Sequence, residues 1–315
     1  MSALKIGTCP TLTESIHSRL REAGIKTVTD LIVADVEMLS QKSEIPYKEL
    51  LALRRVLLAQ TSSFPVSGAD MYETAMVSTS ILTTGCTRVD DLLDGGLYTG
   101  EVTEIAGEIA AGKTQFCMTC ASSVMCGARQ NVFFIDTCGA LSVERVLQIA
   151  EHSGQEIEES TFQRMRCHQA FDIFSLLSEL ENLRCLILQQ TDGFYSNLKL
   201  LIVDNVASVI YPVLGGQQMD GHGLMVTLSR KLKQLAVECS IAVLITNNLV
   251  GGDWDRSRSA ALGKTWSHVP HTRIVISTSN GQRQISLVKS SKTQTNMSVS
   301  CVITEAGVRD STDHG

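Results

Sequence analysis

No stretch of this 315-residue chain reaches the roughly 18 consecutive apolar residues that a membrane-spanning helix needs. Residues 1–10 also lack the charged-then-apolar pattern of a secretory signal. The expectation is a soluble, intracellular protein with no membrane contact. Positive charge is short as well. At a formal net charge of −6 the chain does not coat nucleic acid by bulk attraction, so any such contact must be local. Ten cysteines are present, yet Cys117 and Cys120, spaced C-x-x-C, find no second C-x-x-C to complete a zinc site. Most of the thiols sit inside apolar runs, where they behave as small hydrophobes, so core packing in a reducing compartment is expected. What the chain does have is a 43% apolar composition, ample for a core, and a length that suggests two domains or one large domain with an attachment.

The most informative stretch is residues 107–114. Gly107, Glu108, Ile109, Ala110, Ala111, Gly112, Lys113 and Thr114 spell G-x-x-x-x-G-K-T between the strand-like run 102–106 and the helix-like run 113–127. A phosphate-binding loop requires that context. The glycines let backbone N–H groups close on phosphate oxygens, and the helix N-terminus favours an anion. Lys113 is expected to reach the β- and γ-phosphates, and the Thr114 hydroxyl to sit on Mg²⁺. A second half-site supports the first. The apolar run 200–203 ends in Asp204, placed as a carboxylate that holds the Mg²⁺ shell, and residues 245–248 end the next strand with Thr246, Asn247 and Asn248, where a γ-phosphate or its water could be sensed.

Along the chain, residues 11–60 carry helical periodicity punctuated by Gly24 and Pro46, which predicts a small helical domain over 1–60. Its helix-glycine-helix cadence at 19–28 suits a plain packing unit, and also a unit that touches a phosphate backbone or a partner. Serine and threonine enrichment over 61–80 predicts a linker, in which Phe64 either packs on its own domain or inserts into a neighbour. From 81 to 309 apolar strands alternate with helices at 131–136, 143–152, 165–168, 173–183, 199–204, 224–239 and 241–246. That order predicts a mostly parallel sheet with helices on both faces and ligands at the strands' carboxyl ends. Three further strand-like runs at 272–279, 282–289 and 297–303 predict an antiparallel C-terminal extension, and 310–315 reads as a frayed tail.

These residues together resemble the eukaryotic RecA-like recombinases. Residues 103–115, 135–139, 201–204 and 245–248 carry the resemblance, with the helical domain and residues 82–85 before them. It runs from about residue 4 to 308, and 9–14, 52–60, 97–104 and 214–218 look most like the family's D-type paralogue branch. The resemblance implies an α/β RecA-like P-loop NTPase core that binds ATP with Mg²⁺, and it adds Gln115 and Asn248 to the nucleotide-binding candidates. It also implies single-stranded DNA contact, a nuclear role in homologous-recombination repair, and hetero-oligomers with other recombinase paralogues, namely the C-type paralogue and the X-ray-cross-complementing paralogue.

Departures from the family pattern bear on catalysis. Active recombinases place a water-activating glutamate in an Asp-Thr-Glu-Gly turn, whereas this chain has Asp136, Thr137, Cys138 and Gly139. General-base help is worth about 10²–10⁴-fold, so slow turnover is expected, with no catalytic residue assigned. Glu144 reads as a first-turn helix residue facing the dipole. Asn248 stands where the family carries a glutamine. The linker lacks the family's Phe-x-x-Ala, so specific pairing is favoured over self-polymerisation. Residues 209–223 and 249–264 match the family's DNA-facing loops by position. The second holds Trp254, Arg256, Arg258 and Lys264 against Asp253 and Asp255, three cations to two carboxylates and a net of about +1, which predicts weak, salt-sensitive contact. The leading reading is an ATP-binding subunit. The alternatives are a DNA-stimulated ATPase completed by a neighbouring chain and a nucleotide-free interaction scaffold.

Overall fold

The computed structural model describes residues 4, 9, 11–61, 65–154, 157, 159–189, 192–214, 220–252, 255–279 and 282–311. The chain divides into two compact units, Met1–Thr74 and Ala75–Gly315. Among its described residues the first holds α1 (Glu14–Glu22), α2 (Val28–Val33), α3 (Val36–Ser43) and α4 (Tyr47–Thr61), with a further helix running across its end. Three of their starts are encoded locally. Thr13 accepts from the Ile16 N–H, Thr27 and Asp30 form a reciprocal capping box, and Asp35 accepts from Glu37 and Met38. The apolar residues that carry the periodicity, among them Leu12, Leu20, Leu31, Leu50, Leu53 and Leu57, meet in one core. Within the 61–80 stretch read as a linker lies a helix, α5 (Gly68–Ser78), none of whose residues is buried. Phe64 lies outside the described residues.

The second unit opens with a two-stranded ribbon, β1 (Ile81–Leu82) and β2 (Leu97–Tyr98), flanking α6 (Thr87–Leu92). Then follow β3 (Val102–Gly107), α7 (Lys113–Cys126), β4 (Asn131–Asp136), α8 (Val143–Glu151), a 3₁₀ turn (Glu159–Arg164), β5 (Met165–Gln169), α9 (Ile173–Gln189), α10 (Gly193–Ser196) and β6 (Leu198–Asp204). The chain continues through α11 (Val206–Leu214), α12 (Asp220–Cys239), β7 (Ala242–Gly252), β8 (Asp255–Ala260), α13 (Gly263–Ser267), β9 (Thr272–Ser279), β10 (Gln282–Lys289), β11 (Met297–Thr304) and β12 (Gly307–Asp310). The main sheet has the order β12-β11-β10-β9-β3-β7-β6-β4-β5, with β8 paired to β7. It is parallel from β9 through β3 to β5, and antiparallel from β9 outward to β12. This is the expected RecA-like architecture with its antiparallel extension.

Strand alternation splits the interior into two cores. Ile105, Phe134, Ile202 and Leu244 face α7 and α8, joined by Cys117 and Cys120 as core residues. Phe133, Leu201, Val203 and Ile245 face α9, α11 and α12 instead. Residue 310, expected in a frayed tail, is anchored. The Asp310 carboxylate accepts from the Arg88 N–H and the Cys86 thiol, both at 3.0 Å, which ties β12 to the start of α6. Burial and that carboxylate push the Cys86 thiol up to about 12.

On the α12-facing side, β3 buries one carboxylate completely. Glu104 pairs with Arg273 of neighbouring β9 and accepts from the Asn247 amide and the Trp266 indole, each at 2.8 Å. The strand that leads into the phosphate loop is thereby fixed to β7, β9 and α13 at once. Removing one partner of such a buried pair strands the other charge, at a cost of about 3–5 kcal/mol. Glu104→Gln is therefore expected to lower stability by about that amount. Asp192→Asn, which breaks the exposed Arg166–Asp192 pair, is expected to cost about 1 kcal/mol or less. Urea unfolding of the two variants side by side checks the contrast.

Candidate nucleotide-binding site

The carboxyl ends of β3, β4 and β6 and the middle of β7, at Thr246 to Asn248, converge on the start of α7. Gly107 closes β3 with its α-carbon so near the β9 backbone that a Cβ there would lie 3.0 Å from the Ile276 carbonyl oxygen. Gly112, at φ +109°, occupies the left-handed region that disfavours side-chain-bearing residues, and it turns the loop into α7. Between them Ala110 and Ile109 are exposed, Ile109 at 90%, while Ala111 is buried. The loop thus wraps the first turn of a helix, with backbone N–H groups at a positive dipole end.

Lys113 is buried, and its Nζ donates to the Gly107 and Glu108 carbonyls at 2.9 and 2.8 Å. Burial lowers its pKa, and the Asp204 carboxylate opposes that shift. The adjacent Thr114 hydroxyl donates to Asp204 Oδ2 at 2.6 Å, and the Thr246 hydroxyl donates to Asp204 Oδ1. A hydroxyl and a carboxylate side by side at the loop are a hard-oxygen pair of the kind Mg²⁺ takes together with waters and phosphates. Sequence reading placed Lys113, Thr114 and Asp204 in one site, and the fold brings these three together. Gln115 lies at the same helix start, but its amide oxygen accepts from Arg145 Nε at 2.9 Å.

The turn after β4 is organised by Asp136, whose carboxylate accepts from the N–H groups of Cys138, Gly139, Ala140 and Leu141 at 2.8–3.2 Å. The backbone of the turn is thus held independently of the side chain at 138, and Cys138 is exposed upon it. Thr137 accepts from the Asn205 N–H at 2.6 Å, and the Asn205 amide donates to Asn248 Oδ1 at 2.9 Å. Asn248 therefore belongs to a polar chain from β4 through β6 to β7. Glu144 is an exposed first-turn residue of α8, its carboxyl lowered by the helix-start backbone and by Ser142.

A cavity of about 340 Å³ opens over the loop, lined by Ala110 to Gln115 and by Arg283 and Ile303. The last two were missed from the sequence. The signal was there in the period-two pattern of β10: Arg283 shares a strand face with the core residues Ile285 and Leu287. Thr246 was seen only as one of several polar residues ending a strand, and Asn205 was missed because its role depends on the pairing of β4, β6 and β7.

The DNA candidates do not assemble in the same way. Residues 209–223, expected to be irregular, are occupied by the end of α11 and the start of α12, with 215–219 outside the described residues. Within 249–264, residues 249–252 and 255–260 are paired antiparallel strands instead of an irregular loop, because β7 runs on to Gly252 and pairs with β8, with 253–254 outside the described residues. Arg256 and Arg258 fall on β8, Lys264 is exposed on α13, and Trp254 lies outside the described residues. The hairpin base is tied to the nucleotide side, since the Ala261 N–H donates to the Asn248 carbonyl at 2.8 Å and the Asn247 amide donates to the Ala261 carbonyl at 3.1 Å.

Two family models match the sequence, "RAD51D, N-terminal domain" over residues 1–60 and "Rad51" over residues 75–311. The chain is 47% identical over 278 residues to the DNA repair protein RAD51 homolog 4 of Bos taurus, covering 88% of this chain and 85% of that protein. To the mouse protein of the same name it is 46% identical over 307 residues, covering 94% and 93%. The DNA repair and recombination protein RadA of Metallosphaera sedula is 27% identical over 94% of this chain and 93% of its own length.

Burial, opposed by the two threonine hydroxyls, holds the Asp204 carboxyl above its ordinary value of 3.8. Since the folded-state value is the higher one, the ionised carboxylate costs stability at neutral pH. That cost fades as pH falls through the raised value toward the unfolded-state range. Asp204→Asn is therefore expected to remove this pH dependence, so that its stability relative to wild type is most favourable at neutral pH and declines toward about pH 4. It is also expected to remove the tightening of ATP binding by Mg²⁺. Urea titrations across pH, and ATP titrations with and without Mg²⁺, check the two halves separately.

Proposed function

The chain belongs to the Rad51 family, and on that premise we propose that it is an ATP-binding subunit of a hetero-oligomeric recombinase-paralogue complex that supports homologous-recombination repair. The observation that supports this reading is the meeting of Lys113, Thr114 and Asp204 at the 107–114 loop beside a turn that presents Cys138. Gly107 to Thr114, with Gln115 at the helix start, supply the loop; Thr114 and Asp204 supply the oxygen ligands for Mg²⁺; and Asn248 faces the γ-phosphate side. Bound ATP with Mg²⁺ contributes negative charge and a metal that draw these elements together. The chain's own residues would orient it: Lys113, whose Nζ rests on the Gly107 and Glu108 carbonyls, would hold phosphate oxygens, and Thr114 with Asp204 would hold the metal.

A thiol at position 138 does not take a proton from water as a carboxylate does, so the nucleotide serves this chain chiefly by favouring the conformation and the assembly that bind it. The partners proposed are the C-type paralogue and the X-ray-cross-complementing paralogue, in the nucleus, with single-stranded DNA met weakly by residues 249–264 through Arg256, Arg258 and Lys264 with Trp254. Supporting a partner surface, β5 ends the main sheet on one side, and Phe171 and Phe174 just beyond it are 61% and 64% exposed.

Lys113→Ala is expected to abolish equilibrium ATP binding, and unchanged affinity would sink the proposal. Cys138→Glu is expected to raise single-turnover hydrolysis by about 10-fold or more, since the turn's backbone is already held by Asp136. No gain from Cys138→Glu, together with wild-type turnover that requires a partner chain, would favour instead an ATPase completed by its neighbour.

A further inference from the structure

The phosphate loop accounts for one side of the cavity, and the antiparallel extension supplies the other. On β10, Ile285 and Leu287 point into the core beneath α7, and on β11 Cys301 does the same. Two residues further along each strand, on that same face, the core ends and Arg283 and Ile303 emerge over the helix start. They stand against the loop itself. A Cβ built on Gly112 would lie 2.8 Å from Ile303 Cδ1 and 3.3 Å from Arg283 Nε.

Among the described residues Arg283 is held by one hydrogen bond. Its Nε donates to the Ala111 carbonyl at 3.1 Å, and among the described residues its two terminal nitrogens meet no acceptor and its charge no carboxylate. A half-buried guanidinium fixed by one edge to the loop, its remaining donors free and an isoleucine beside it, is an incomplete contact. The polyphosphate needs little from it, because the loop N–H groups, Lys113 and the α7 dipole already serve phosphate oxygens. What those groups do not supply is a surface for a sugar and a base. A planar cation and an aliphatic side chain, side by side, form such a surface, since a guanidinium stacks on π-faces and a branched alkyl group excludes water from them.

We propose that Arg283 and Ile303 form the nucleoside wall of this site, through which the chain distinguishes a nucleoside triphosphate from inorganic polyphosphate. The proposal rests on the reading that residues 107–114 hold phosphates, and it assigns to the C-terminal extension a role in ligand selection besides extending the sheet.

The test compares MgATP with inorganic tripolyphosphate, each titrated into the full-length chain by competition with a fluorescent ATP analogue. Arg283→Ala is expected to weaken ATP about tenfold and tripolyphosphate less than about twofold, so that the preference for the nucleotide collapses. Arg283→Lys keeps the charge and loses the plane, and it is expected to behave like the alanine variant. Equal weakening of both ligands by Arg283→Ala, with recovery in Arg283→Lys, would show a phosphate contact and overturn the proposal. So would unchanged affinity for both ligands in a variant whose thermal melt matches wild type. Lys113→Ala keeps the two readings apart: it is expected to abolish binding of both ligands, and if it does not, the phosphate-loop reading fails, whatever Arg283 does.

Discussion

The Thr114 hydroxyl donates to one oxygen of Asp204 and the Thr246 hydroxyl to the other, so a single carboxylate at the end of β6 ties the start of α7 to β7. The phosphate loop depends on that clasp, because α7 is the helix whose first turn the loop wraps. The carboxylate is almost wholly buried, which is costly for a charge, and only hydroxyls and the neighbouring Lys113 offset it. A metal bound at Thr114 and Asp204 would relieve the same strain more fully. In this arrangement the unfavourable charge is a reason for the site to bind a cation together with its anionic ligand.

Glu104 does the corresponding work on the opposite face of the sheet. It lies three residues before Gly107 and holds Asn247, one residue before Asn248, together with Trp266, which follows the hairpin of β7 and β8. The strand entering the loop, β7 at Asn247 and α13 at Trp266 thus share one buried anion. A shift at any of them disturbs a fully desolvated network, so the elements are expected to move as one body.

Most of the fold was legible because its signals are local. The alternation of apolar strands with helices fixes the sheet, and G-x-x-x-x-G-K-T between a strand and a helix fixes the loop. Asp204 was legible for the same reason, as a charge ending an apolar run. What escaped depends on pairing between distant strands. Arg283 reaches the cavity only because β10 lies beyond β9 next to β3, and Asn205 matters only because β4, β6 and β7 are neighbours. Residues 249–264 read as irregular because small and charged residues mask the strands at 249–252 and 255–260, whose pairing is with each other. Asp310 looked like the edge of a tail because its two donors, Arg88 and Cys86, lie at the other end of the core sequence.

The loop, the clasp and the turn together describe a socket more than a motor. The parts proposed to bind a triphosphate are supported from both faces of the sheet, while the position that matches the water-activating glutamate of active recombinases presents a thiol on a turn whose backbone is fixed without it. The most direct measurement is the chemical state of the nucleotide that the chain holds. The full-length protein is loaded with labelled ATP and Mg²⁺, with and without single-stranded DNA, then quenched at intervals over hours and its bound nucleotide separated. The account predicts that the bound nucleotide remains triphosphate throughout. Stoichiometric conversion to diphosphate by the chain alone over the same interval would contradict it.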